Sequence, residues 1–206
     1  MQPLLTIQIP FTEERRFETE KLMGEFQSQC KEYNLFNGEV ELYVDGRGRE
    51  VPIGQKRTDM YQKANGLFVV QWDSDDWISE HGIVTILMAI KQNPNVDCIT
   101  YEEYVHINGV NYTSNHSIEY SDWEGEGNTE FPDGFNFHRT PYMKDVIRTE
   151  IAKSVPVPDL RWSEDYEWSK LIKPLLKTET HLQEEIYHYI YISNQTFEER
   201  YGHDGK

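Results

Sequence analysis

Cysteine is scarce in this 206-residue sequence: Cys30 and Cys98 are the only two, far apart and without C-x-x-C spacing. That excludes a disulfide framework or a zinc cluster built on cysteine pairs, and fits a reducing compartment. Long apolar runs are lacking too. The longest, 83–90, is broken by Thr85 and is less than half of the ~20 residues a membrane helix needs. The opening MQPLLTIQIPF lacks the basic n-region and A-x-A site of a secretory leader. Basic residues are outnumbered, 20 Lys and Arg against 36 Asp and Glu, for a net charge of −16. Such a surface as a whole does not attract nucleic acid or anionic lipid, although a local basic groove is compatible with it. The expected setting is cytoplasmic, with no membrane span.

Internal repeats and Pro/Gly/Ser-rich linkers are absent, so one domain is expected, since single cores serve roughly 100–200 residues. Folding at this length buries roughly 70% of the surface of the unfolded chain, enough for a core without metal or disulfide staples. The 37% hydrophobic, 13% aromatic and 27% charged composition is that of a globular domain.

The patterning predicts strands at 4–9, 40–44 and 67–72 alternating with helices at 13–33 and 55–65, a βαβαβ order that implies a parallel sheet with helices on its faces. Ser79 is a candidate cap for a helix with the stripe Ile83, Ile86, Leu87 and Ile90, ended by Asn93-Pro94. Strands are predicted at 98–101 and 104–107, then an Asn108-Gly109 hairpin turn into 110–113. Residues 111–136, polar and aromatic, read as a long surface excursion. Pro141, Met143, Ile147 and Ile151 suggest a helix stopping before Val155-Pro156-Val157-Pro158. Ser163 is expected to cap a helix over 164–176, alternation over 186–192 marks a late strand, and 198–206 reads as a flexible tail.

Three polar segments carry chemistry. The strand 67–72 runs into Asp73-Ser74-Asp75-Asp76, placing carboxylates where open α/β sheets bind ligands. Two of them at about 4 Å repel by about 4 kcal/mol at an effective dielectric near 20, so a cation is expected. Oxygen ligands suit Mg²⁺ or Mn²⁺; the alternative is a solvated acidic turn capping the next helix. Lys56 and Arg57 open the helix after Gly54, where positive charge opposes the helix dipole unless an anion such as a diphosphate binds. Alternatively they extend into water or pair with Asp59. Glu164 and Asp165 open another helix, where the dipole favours ionised carboxylates; one can serve as general base toward a hydroxyl, or the segment is an ordinary cap.

In combination, Ile53-Gly54-Gln55-Lys56-Arg57, Ala64-Asn65-Gly66, the strand ending in Asp73-Ser74-Asp75-Asp76, the His138, Pro141 and Lys144 segment, and Glu164-Asp165 resemble the family-2 glycosyltransferases, over almost the whole chain and especially its small stand-alone bacterial and phage members. The resemblance implies an α/β GT-A domain over 1–197: a Rossmann-like, mostly parallel sheet with helices on both faces and a mixed C-terminal acceptor half. Residues 1 to about 100 would bind the nucleotide-sugar and about 101–197 the acceptor. It also implies metal-dependent, inverting transfer from a nucleoside-diphosphate sugar, a UDP-sugar foremost.

By the same resemblance, Asp165 is the catalytic base beside Glu164. Asp45, Lys56, Arg57, Asp73, Ile9 and Pro10 contact the donor, Asp75 holds the metal (Mn²⁺ or Mg²⁺) with Asp73 and His138, and Tyr120 and Trp123 belong to the acceptor loop. Thr58 stands where the family has Asn, and Ser163 where it commonly has Gly. The acceptor stays open among glycan, lipid-linked sugar, protein and modified DNA base, the last being the sole role for nucleic acid. The aromatic loop closes over the donor, offers a face on which an acceptor stacks, or is anchored to the core by Trp123. Alternative functions are a metal-dependent nucleotidyltransferase or phosphohydrolase, and a noncatalytic nucleotide-sugar-binding module.

Overall fold

The computed structural model describes residues 2–35 and 38–192; the expected tail at 198–206, like the end of the domain drawn over 1–197, lies outside the described residues. The chain forms one mixed α/β domain around a nine-stranded sheet. Strands β1 (Leu5–Pro10), β2 (Val40–Asp45) and β3 (Phe68–Gln71) are parallel in the order β2-β1-β3. Helix α1 (Arg16–Glu32), entered through a 3-10 turn (Glu13–Arg15), links the first two strands, and α2 (Ile53–Lys63) links the next two.

β1 is buried along its whole length because both faces are covered. Leu5, Ile7 and Ile9 join a core with Leu22, Phe26 and Cys30 of α1. The alternate residues Thr6 and Gln8 bond instead to Glu41, Gly66 and Met60. The i, i+4, i+8 spacing of Leu22, Phe26 and Cys30 fixes which face of α1 is buried, and each large apolar side chain so covered contributes about 1.5–3 kcal/mol.

After β4 (Trp77–Ile78), helix α3 (Gly82–Gln92) packs the expected Ile83, Ile86, Leu87 and Ile90 into the same core. Ser79 does not cap it with its side chain; His81 is the N-cap residue. The cap comes from far away: buried Gln29 of α1 accepts the Ile83 N–H (3.1 Å) and donates to the Ser79 carbonyl (2.7 Å).

The second half is mixed. The two predicted strands at 98–101 and 104–107 are one strand, β5 (Cys98–Ile107). It pairs antiparallel with β6 (Val110–His116) through a turn with positive φ at Asn108 and Gly109, the hairpin geometry expected of Asn-Gly. Strand β7 (Phe137–Arg139) lies parallel to β6, and the late strand β9 (Glu179–Tyr191) runs parallel to β5 and reaches β4.

The helix expected at Pro141 does not form. Asp145 accepts the Tyr142 N–H and returns its own N–H to the Tyr142 carbonyl, closing a tight turn. Val146–Arg148 then inserts as β8, antiparallel, between β3 and β5. A short apolar run does not distinguish helix from strand by period, and here β-branched residues favour the strand. A helix starts only at α4 (Thr149–Ser154), and α5 (Glu164–Ile172) ends in a 3-10 turn (Lys173–Leu175) short of the predicted 176. Tyr61, Val69, Ile147, Ala152, Trp168 and Ile172 form a second core on the other face of the sheet, so helices cover both faces.

Candidate functional site

The C-terminal ends of β1, β2 and β3 open into a cleft of about 390 Å³ lined by Pro10, Phe11, Arg15, Lys56, Arg57, Asp73, Trp162 and Glu164. The acidic turn after β3 forms its floor and is not a solvated cap. Asp76 and Ser74 are buried, and the following helix takes its cap elsewhere. Asp76 accepts from Tyr187 Oη (2.5 Å) and from the Ile190 N–H (2.8 Å), while Tyr187 Oη accepts the Asp73 N–H (3.0 Å). β9 thus clamps the turn from below.

Each outward carboxylate has its own cation. Asp73 pairs with Arg57 (2.7 Å) and with Lys144. Burial raises its pKa, but the charges of Arg57 and Lys144 outweigh that and hold it well below the usual carboxylate range. Asp75 pairs with Arg15 at 2.8 Å; burial, reinforced by Asp73, keeps its pKa above normal despite that arginine. Asp76 is raised further, by burial and then by Asp75 and Asp73.

Lys56 and Arg57 do not extend into water: both are buried. Lys56 Nζ donates to the carbonyls of Phe11 (3.1 Å) and Arg47, tying the loops after β1 and β2 together; Asp59 pairs with Arg47 instead. Arg57 Nε lies 3.3 Å from Glu164 Oε1, so the acidic turn and α5 meet on one guanidinium. The contact has a geometric source. One helical turn on, Tyr61 of α2 stacks on Trp168 of α5 with centroids 5.2 Å apart, repeating the 57/164 pairing at i+4 on both helices. Buried Gln71 fixes α2 to the sheet by donating to the Arg57 carbonyl and to Gln8.

The approach to α5 is equally constrained. Thr58 accepts the Val157 N–H (2.9 Å). A Cβ on Gly54 would stand 2.2 Å from the Pro158 carbonyl oxygen, so only glycine lets α2 lie against this segment. Ser163 has φ 60 and ψ 25, a left-handed conformation that costs an L-residue roughly 1–2 kcal/mol.

Burial raises the pKa of Glu164 even though Arg57 opposes it. Asp165, next along, is half-buried and accepts the Tyr166 N–H. Its charge acts on Arg57 and, in the second half of the chain, on Arg139, Tyr142 and Tyr189. Asp45, at the end of β2, is buried and gripped by Arg47, whose Nε and Nη2 donate to it at 3.0 and 2.7 Å. Burial raises its pKa, but these bonds outweigh burial and leave it lowered.

Two of the residues expected at the site stand apart from it. Ile9 turns its side chain into the core, leaving Pro10 as the cleft residue of that pair. His138 is not beside the carboxylates of the acidic turn: its ring is stacked between Tyr120 and Phe131, with centroids 4.2 and 3.9 Å away, and its Nε2 is 2.9 Å from Asp133. Edge strand β7 carries it there, far along the sheet from β3. Tyr120 is thus occupied by His138, and Trp123 packs on the second core against Tyr142 and Tyr166 with Arg139 over its ring, so it anchors the loop.

Arg15, Lys144 and Tyr187 were not foreseen as site residues. Lys144 left a signal, a lone cation between Tyr142-Met143 and Val146-Ile147. Arg15 left none, because charged sequence surrounds it, and Tyr187 reads as one more residue of a late strand.

Among the described residues, no group of three His, Cys, Asp or Glu side chains is placed to hold a metal. Mg²⁺-type sites need only one or two carboxylates when substrate phosphates complete the shell, and Asp75, with oxygen donors and partial exposure, fits as that carboxylate.

No protein-family model and no curated protein matches the chain. Solved structures do. S. aureus TarS 1-349 superposes with TM-score 0.60 at 16% identity, over 97% of this chain and 63% of that one. TarS 1-349 in complex with UDP gives 0.63 at 15%, over 96% and 63%. The mannosyltransferase PcManGT from Pyrobaculum calidifontis, in complex with GDP-Man and Mn²⁺, gives 0.53 at 9%, over 91% and 57%. The chain therefore spans less than two thirds of the length of these structures. At such identities the likeness shows the fold: a single α/β domain of the GT-A-like kind.

Proposed function

We propose that this chain is a metal-dependent, inverting glycosyltransferase that moves a sugar from a nucleoside-diphosphate sugar, a UDP-sugar foremost, to an acceptor hydroxyl. The observation that carries the reading is the Arg57 guanidinium shared by Asp73 and Glu164. It brings the acidic turn of the donor half, about 1–100, to the helix start of the acceptor half, about 101–197, within one cleft. The fold likeness to structures solved with UDP and with GDP-Man and Mn²⁺ supports the same reading.

In this reading Pro10, Lys56, Arg57 and Asp73 shape the donor pocket, and Arg15, Arg49 and Arg161 at its wall supply positive charge for a diphosphate. Asp45 reaches the base side through the Arg47 grip. A divalent ion, held through Asp75 when bound, supplies positive charge against the departing diphosphate. Glu164, fixed by Arg57, orients the start of α5. Asp165 takes the proton of the attacking hydroxyl on the opposite face of the sugar. The acceptor lies on the side bordered by Trp123, Tyr166 and Arg139, with Tyr120 further out.

The test is product analysis with a panel of UDP- and GDP-sugars and Mn²⁺ or Mg²⁺. The reading expects slow release of the nucleoside diphosphate from one donor even without acceptor. Release of inorganic diphosphate would indicate nucleotidyl transfer, and binding with no turnover under any acceptor would indicate a noncatalytic module.

A further inference from the structure

The three carboxylates of the acidic turn are neutralised in different ways. Asp73 is closed by two buried cations, Arg57 and Lys144. Asp76 is closed by a tyrosine hydroxyl and a backbone N–H of β9. Asp75 is closed by Arg15, and here both side chains keep about a quarter of their surface, 26% and 25%. Arg15 ends the 3-10 turn that follows β1 and lines the donor cleft beside Pro10, Phe11 and Thr12. The guanidinium thus sits on the carboxylate that fits a metal, at the wall of the cleft that fits a diphosphate.

A divalent ion and a guanidinium compete for the same carboxylate oxygens, while phosphate oxygens accept bidentately from arginine. Asp75 cannot be left bare, because Asp73 and Asp76 stand beside it and like charges in a partly buried site repel strongly. Resting on the donor reading above, we propose that Arg15 is an exchangeable counter-charge. It neutralises Asp75 until a divalent ion and a nucleoside diphosphate arrive together, then leaves the carboxylate and binds the phosphate oxygens. Metal alone must break the Arg15–Asp75 pair, whereas metal with nucleotide offers the guanidinium phosphate oxygens in exchange for that carboxylate. The two ligands therefore bind with positive coupling.

The experiment measures Mn²⁺ binding through loss of the free-ion electron paramagnetic resonance signal, with and without UDP, in the full chain. Compared are the wild type, Arg15→Gln, the double variant Arg15→Gln/Asp75→Asn, and Arg16→Gln as a control. Arg16 pairs with Glu13 and Glu20 on the exposed side of α1. Expected without nucleotide is about fivefold tighter Mn²⁺ binding by Arg15→Gln, the equivalent of ~1 kcal/mol for a partly exposed ion pair. The gain disappears in the double variant and is absent from Arg16→Gln. UDP then improves Mn²⁺ affinity less in Arg15→Gln than in the wild type.

Equal Mn²⁺ affinity of wild type and Arg15→Gln, or a gain that survives loss of the Asp75 carboxylate, overturns the proposal. If UDP and nucleotide sugars bind to none of the proteins while the Mn²⁺ gain is present, the donor reading and the transfer of Arg15 to phosphate fall, and the competition at Asp75 stands. Far-ultraviolet circular dichroism and the unfolding midpoint identify any variant that has lost its fold.

Discussion

Arg57 and Glu164 are separated by 107 residues in sequence and by 3.3 Å in space, and the same guanidinium reaches Asp73 at 2.7 Å. Removing the cation leaves Glu164 without its counter-charge and Asp73 with Lys144 alone. Arg57→Met is expected to destabilise the fold by about 3–5 kcal/mol, the cost of breaking rather than replacing a buried pair. Urea unfolding measures it; a change under ~1 kcal/mol contradicts the bridge.

Gly54→Ala tests how α2 is seated on the segment leading to α5. Its Cβ would meet the Pro158 carbonyl oxygen at 2.2 Å and backbone has to shift. Overpacking of this kind costs about 1–3 kcal/mol. The shift moves Glu164 from Arg57, so nucleotide-sugar affinity should fall with stability, as titration calorimetry beside thermal unfolding would record. Gly24→Ala, where nothing lies within 4 Å, should leave the affinity unchanged.

His116 gives the fold a pH dependence separate from the cleft. It is fully buried, with Nδ1 3.1 Å from Asp145, Nε2 3.3 Å from Glu103 and 3.1 Å from Ser114, and the rings of Tyr101 and Tyr142 against it. Burial pulls its pKa down, but Asp145 and Glu103 outweigh burial and push it up to about 9 from 6.5. The folded state therefore favours the imidazolium. Its contribution is complete below the unfolded pKa of about 6.5 and is lost as pH rises through the folded value near 9. Unfolding free energies between about pH 6 and pH 10 should decline for the wild type and more shallowly for His116→Gln; parallel profiles contradict the assignment.

Asp165→Asn and Asp75→Ala separate two roles. The first should abolish transfer, by a factor of at least ~10², while nucleotide binding with Mn²⁺ is retained. The second should weaken metal-dependent donor binding. Turnover retained in Asp165→Asn rejects that residue as the base, and unchanged Mn²⁺ dependence in Asp75→Ala removes it from the metal.

Local pattern made the first half of the fold legible. Apolar period 2 in β1, the continuous apolar run of β3, the i, i+4 stripes of α1 and α3, and the Asn108-Gly109 turn all carry their structure in neighbouring residues. The segment 141–148 was misread because its conformation depends on distant partners, with Val146 and Ile147 held between β3 and β5. The Gln29 cap of α3 was hidden for the same reason, since it comes from another helix. At the site, position at strand ends and helix starts singled out Arg57, Asp73 and Glu164, which do meet, Lys56, which lines the same cleft, and Asp75, which pairs with Arg15 of that lining. The neighbours of His138 are set by an edge strand, and Arg15 and Tyr187 were passed over because their partners lie 60 and 111 residues away.

The central claim, one cleft that binds a nucleotide sugar through this gathered set of charges, is tested most directly by thermal stabilisation. Ligand that binds only the folded chain raises its unfolding midpoint by mass action, without any acceptor. With Mn²⁺ present, at least one sugar nucleotide should raise the midpoint of the wild type, and the rise should vanish in Asp75→Ala. A midpoint that no sugar nucleotide moves, or an undiminished rise in that variant, would contradict the account.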